Sequence, residues 1–173
     1  LGGGTVLIPK GKFITGTIHL KSNVNLHLES GSFLIGSLDI NDYGVMPDGY
    51  YYSGKNLMGL IFANDVENIS ITGEGVLDGR GTSFMKKNTR FAPSKEQRKY
   101  TRQKEKFRDY IKLEDGPLEY KERPGHILTI SNSENILIQN IRFIDAPKWT
   151  IRIGGSDNVK ISQITINNNI LIP

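Results

Sequence analysis

The chain has 173 residues, 37% of them apolar and 23% charged, with a net charge of +4. That is enough for one domain with a core, and it excludes a disordered or collagen-like chain. No apolar run approaches the roughly 18 residues of a membrane span. Cysteine is absent, which excludes disulfides, Cys-ligated zinc and a thiol nucleophile and leaves the compartment undecided.

The opening, LGGGTVLIPKG at Leu1 to Gly11, has no Met and no signal-like apolar segment. It begins inside a motif, so the chain is expected to be cut from a longer protein. TVLIP, FITGTIHL, VNLHL and SFLIG follow as short alternating segments, punctuated by Gly and Asn. ISITG and GVLDG continue the pattern after Asn68. HILTI, ILIQNIRF, TIRIGG and VKISQITI complete it after His126. All of these read as strands. No regular helix alternates with them, which argues against a doubly wound sheet or a β/α barrel.

One phrase recurs: SNVNLHLESG around Asn23, ENISITGEG around Asn68, SENILIQNIRF around Asn135 and SDNVKISQITINN around Asn158. Asn135 and Asn158 are 23 residues apart. A period of that length filled with two or three short strands fits one coil of a parallel β-helix. The Asn is expected at a turn, where it tolerates left-handed backbone and stacks its amide on the next coil's. Ile130, Leu137, Ile141, Ile151, Ile153, Val159, Ile161 and Ile164 are expected to be mostly buried in stacked parallel strands.

The segment Thr82 to Glu122 breaks the pattern. It holds 12 Lys or Arg and 7 Asp or Glu, a net of +5, against 10 and 11 elsewhere. The whole positive excess therefore lies in residues 82–122, read as a basic insertion with one helix from Ser94 to about Asp109. Its aromatics, among them Phe84, Phe91 and Tyr100, either dock on the wall of the β-helix or interleave with the cations to bind a polyanion.

Isolated carboxylates suggest no active site. Asp78 and Asp145 lie in turn phrases, and Glu114 and Asp115 are neighbours in a solvated turn. His19 and His27 alternate with apolar residues and are expected to face outward. No His pair has metal-ligand spacing, and the GGG at Gly2 to Gly4 precedes a strand rather than a phosphate-binding helix.

Taken in order, the motifs resemble glycoside hydrolase family 28, the polygalacturonase-like pectin hydrolases. The resemblance rests on GGGTVLIPKGKFITGTIHLKSNVNLHLESGSFLIGS (Gly2 to Ser37), Asp42-Tyr43, NISITGEGVLDGRG (Asn68 to Gly81) and RPGHILTISNSENILIQNIRFIDAPKWTIRIGGSDNVKISQITI (Arg123 to Ile166). It covers nearly the whole chain except about 40 residues in the middle. It implies an all-β fold, a right-handed single-stranded parallel β-helix of the pectin lyase-like kind, as one domain over residues 1–173 with the short helical insertion outside. It also implies a secreted or periplasmic hydrolase of galacturonan-type pectin, acting with inversion and without cofactor or metal. The family's catalytic Asp motifs are absent, so the chain is expected to be an N-terminal portion, inactive alone, with those residues downstream. Alternatives on the same fold are a polysaccharide lyase and a non-catalytic carbohydrate-binding β-helix of tailspike or adhesin type.

Within this resemblance, Trp149 and Arg152 align with the columns of the family's catalytic Asp residues one coil further on, and His126 lies one coil below Trp149. His126, Lys148, Trp149 and Arg152 are therefore the candidate substrate-binding residues. Trp can stack on a sugar ring, and Lys or Arg can pair with uronate carboxylates. The alternative leaves Trp149 packed beneath a loop and Arg152 as a solvated sheet residue. The expected partner is an acidic polysaccharide, pectin or galacturonan, with no nucleic acid and no membrane, and the protein is expected to be a monomer. Endo and exo cleavage are not distinguished.

Overall fold

The computed structural model describes residues 2–47, 56–90 and 118–168. Its strands fall into successive coils. The first holds β1 (Gly4–Ile8), β2 (Gly11–Thr15) and β3 (Ile18–His19). The second holds β4 (Val24–Leu28), β5 (Ser32–Gly36) and β6 (Ile61–Asn64). The third begins with β7 (Glu67–Gly73) and β8 (Val76–Asp78), leaves the stack for a hairpin of β9 (Met85–Arg90) and β10 (Leu118–Tyr120), and returns as β11 (Leu128–Ser131). Next come β12 (Glu134–Gln139), β13 (Arg142–Ile144) and β14 (Ile151–Gly154), then β15 (Asp157–Ser162) and β16 (Thr165–Asn167).

Apart from β9 and β10, each strand pairs in parallel with its equivalent in the neighbouring coil. Three sheets result, ordered β1-β4-β7-β12-β15, β2-β5-β8-β13-β16 and β3-β6-β11-β14. This is a parallel β-helix. Successive side chains in a strand point to opposite faces, so alternate residues fill the bore. Leu26, Ile71, Ile138, Leu77, Phe143, Ile61, Leu128 and Ile130 do so, each at most 2% exposed.

The repeated Asn makes the turns. Asn23, Asn68, Asn135 and Asn158 all have positive φ, between 50° and 63°. Their amides form a ladder: Asn158 donates to Asn135 at 2.6 Å, Asn135 to Asn68 at 3.0 Å and Asn68 to Asn23 at 2.9 Å. The uneven sequence spacing has a simple cause. Coils of different length share the same ladder, because more residues separate β5 from β6 and β8 from β11 than separate the corresponding strands of the other coils.

Burial departs from the sequence expectation in two ways. Ile130 and Ile141 are buried at 0% and 1%, but Leu137 is only half-buried, because the alternation in β12 turns Ile136 and Ile138 inward instead. Val159 and Ile161 are 38% and 42% exposed, and Ile151, Ile153 and Ile164 are half-buried. Val159 and Ile161 pair with Ile136 and Ile138 below, but no described strand lies above them. The expected helix from Ser94 lies outside the described residues. The described flanks of that insertion are strands: β9 and β10 pair antiparallel, Tyr120 opposite Met85 and Leu118 opposite Arg90.

Candidate functional site

The sheet β3-β6-β11-β14 sets the geometry. Leu128 pairs with Ile151 and Ile130 with Ile153, facing the bore, so Thr129 and its partner Arg152 face outward. Phe62 and His19 continue that outward column downward. Phe62 is covered by a small cluster with Met46 and Met58. The same register, run two residues back, sets His126 under Trp149. Their rings stack with centroids 5.2 Å apart and planes 15° apart. Trp149 remains 68% exposed and His126 only 8%.

The coils approach closely here. A Cβ on Gly59 would lie 1.5 Å from the His126 carbonyl oxygen, so only glycine fits beneath. Burial first, and then the Lys148, Arg152 and Arg123 charges, push the His126 imidazole down to a pKa of about 4, against a hydrogen bond to the Trp149 backbone. Burial, then Arg123, also lowers Lys148. Near pH 7 the imidazole is therefore neutral within a cluster of cationic side chains.

Trp149 stands on a loop, Asp145–Thr150, tied down at both ends. The Asp145 carboxylate accepts from the Thr82 amide at 3.0 Å and the Thr82 hydroxyl at 2.6 Å, and its carbonyl accepts from Gly81 at 2.6 Å. Asn168 accepts from the Ala146 amide at 2.9 Å and donates to the Thr150 hydroxyl at 2.6 Å. Arg123 donates through Nη1 to the Pro147 carbonyl at 2.8 Å, with its guanidinium 3.8 Å above the Tyr120 ring. These bonds hold the loop that carries the exposed indole in one conformation.

All four residues singled out from the sequence thus lie in one neighbourhood, His126 and Trp149 in ring contact, Lys148 and Arg152 close enough to act on the imidazole. Trp149 is not packed beneath a loop. Arg123 and Asn168 were not singled out. The Arg-Pro step before Gly125 was the only sequence signal for Arg123, and Asn168 looked like one more turn Asn.

The remaining carboxylates behave as turn residues. Asp78 accepts from the Arg80 amide at 2.9 Å, and Arg80 sits in the left-handed region at φ 50°. Burial raises the Asp78 carboxyl, against the Arg80 amide. His27 is half-buried, its Nδ1 2.9 Å from the Thr72 hydroxyl, and His19 is exposed edge-on to Phe62. Glu114 and Asp115 lie outside the described residues. Among the described residues no group of three or more His, Asp or Glu could hold a metal ion. The Trp149 edge offers a flat apolar face near cationic side chains.

The family profile for Glycosyl hydrolases family 28 matches residues 4–170. A Vitis vinifera protein named "Probable polygalacturonase" is 28% identical over 95% of the chain and 30% of its own length. An exo-poly-alpha-D-galacturonosidase of Dickeya chrysanthemi is 37% identical over 43% of the chain and 14% of its own length. The exopolygalacturonase structure from Thermotoga maritima superposes with a TM-score of 0.66 at 28% identity, covering 95% of this chain and 39% of that one. The chain thus spans about a third of the length of the first of these relatives.

Proposed function

The chain belongs to Glycosyl hydrolases family 28, and on that premise we propose that it forms the N-terminal coils of a pectin hydrolase whose Trp149 edge binds galacturonate. One observation supports this most: an exposed Trp149 stacked on a buried, neutral His126, with Lys148, Arg152 and Arg123 around it. A galacturonate unit has an apolar sugar face for the indole and a carboxylate for the cations. Polygalacturonase is also what relatives are named.

In this reading the reaction is inverting hydrolysis. One carboxylic acid protonates the glycosidic oxygen, and a carboxylate roughly 6.5–9.5 Å away activates water. Among the described residues the carboxylates at the turns, Asp78 and Asp145, are engaged by backbone and hydroxyl donors. The catalytic pair belongs to coils beyond this chain. A polymeric substrate outside the cell implies a secreted or periplasmic enzyme. No described helix is long and apolar enough to cross a membrane.

The site is tested with the chain itself. Trp149 is its single tryptophan, so fluorescence titration reports on this edge alone. Oligogalacturonate should shift the emission, uncharged galactose oligomers should not, and Trp149→Phe with calorimetric detection should weaken binding about tenfold, or ~1.4 kcal/mol. Equal response to charged and uncharged sugars would overturn the reading. Reducing ends released from polygalacturonate by the pure chain would overturn the placement of the catalytic carboxylates.

A further inference from the structure

The insertion hairpin and the Trp149 loop are not independent. The hairpin leaves the stack through Gly81 and Thr82, which hold Asp145 by its carbonyl and its carboxylate. It returns through Lys121, whose amide bonds the Phe84 carbonyl at 2.8 Å, and through Tyr120 and Arg123. Arg123 then donates to Pro147, the residue immediately before Lys148 and Trp149. Both roots of the hairpin thus grip one short segment, Asp145–Pro147, directly ahead of the exposed indole. The close fit leaves no slack: a Cβ on Gly79 would lie 2.7 Å from the Pro147 ring, and one on Gly81 2.5 Å from the Ala146 carbonyl oxygen.

From this juxtaposition we infer that Arg123, held flat by Tyr120, is a positioning residue: it links the inserted hairpin to the Trp149 loop and fixes the angle at which Lys148 and Trp149 meet a ligand. The inference rests on the galacturonate reading for the identity of that ligand, but not for the mechanical link. A guanidinium suits this task. It stacks on an aromatic ring through its plane while donating from its edge. Lysine cannot do both at once with a single ammonium. Losing the donor leaves the buried side of Pro147 without its bond and frees the loop between its Asp145 and Asn168 anchors. Binding then requires the loop to be ordered again, so affinity falls although every contacting side chain is intact.

Acrylamide quenching of Trp149 reads the link without any sugar. In Arg123→Ala the quenching constant should rise about twofold and the affinity for oligogalacturonate fall about fivefold, as expected for lost preorganisation. Arg123→Lys should recover part of both, and Tyr120→Leu should show a smaller change in the same direction. Asn68→Gly, which weakens the turn ladder away from this loop, serves as the stability control and should leave Trp149 quenching unchanged. Should Arg123→Ala not fold, the lysine variant decides the quenching arm. Unchanged quenching in the Arg123 variants, or an equal rise in Asn68→Gly, overturns the inference. Wild-type chain that binds no oligogalacturonate would sink the functional reading alone, and the quenching arm would still decide the role of Arg123.

Discussion

At the scale of single residues, His126 converts burial into a pH dependence. Its folded-state pKa of about 4 lies below the ordinary value of 6.5. Between those two values the unfolded chain binds a proton that the folded chain does not, so stability falls as pH drops from 6.5 towards 4. Above 6.5 both states are neutral at this residue and its contribution is level. One proton gives a slope of up to about 1.4 kcal/mol per pH unit. The urea midpoint of wild type should therefore drop across this window more than that of His126→Asn, which has no imidazole to protonate; parallel curves would show the burial of His126 to be immaterial. The position of this residue was legible beforehand, since a 23-residue offset links it to Trp149 in the sequence. Its neutrality was not, because that depends on Gly59 admitting the neighbouring coil and on Lys148, Arg152 and Arg123 converging from separate segments.

At the scale of elements, the turn ladder is where sequence and structure agree most closely. Each Asn adopts a backbone that penalises most residues and also supplies both halves of an amide chain. Asn135 is interior to the ladder, donating to Asn68 and accepting from Asn158, whereas Asn23 is terminal and accepts only. Asn135→Gly keeps the left-handed backbone and should cost about 1–2 kcal/mol for two lost bonds; Asn135→Ala adds backbone strain and should cost about 1 kcal/mol more. Asn23→Gly should cost the least. Chemical denaturation orders the three, and a terminal variant as costly as the interior one would refute a cooperative ladder. The repeated phrase made these turns readable because one residue type meets both a conformational and a hydrogen-bonding demand. Leu137 was misread for the opposite reason. ILI offers three apolar residues in a row, and only the pairing of Ile136 and Ile138 with Ile69 and Ile71 decides which face is inner. The pairing of Met85–Arg90 with Leu118–Tyr120 was hidden as well, because β9 is basic and lacks apolar alternation and β10 is only three residues long.

At the scale of the whole molecule, charge and exposed apolar surface set the behaviour. The positive excess lies in the insertion, whose base flanks the Trp149 loop through Thr82 and Arg123. If it steers an acidic polymer, replacing Lys86, Lys87 and Arg90 with Ser in the full-length enzyme should raise KM for polygalacturonate more at low salt than at high, since screening acts over about 10 Å at 0.1 M; salt-independent kinetics would leave the strip as solvated surface. The ends of the stack make a sharper prediction. Val6, Leu7 and Ile14 are 50%, 52% and 68% exposed in the first coil, and Val159, Ile161 and Ile166 are 38%, 42% and 49% exposed in the last described one. Their counterparts one coil inward, Ile136, Ile138 and Phe143, are at most 2% exposed. The same column position therefore has different energetics at the end and in the middle. Ile138→Lys places an unpaired charge in the bore and should cost several kcal/mol, on the order of 3–5, enough to unfold a marginal domain. Ile161→Lys can turn its ammonium to solvent and should cost only about 1 kcal/mol in this chain. In a chain extended by further coils of the same kind, Ile161 would occupy the position Ile138 has here. The wild-type melting temperature should then rise, and Ile161→Lys should become nearly as damaging as Ile138→Lys. Thermal denaturation of the four proteins and their wild-type parents tests this. A constant, small penalty for Ile161→Lys in both lengths would mean that the stack does not continue over this face.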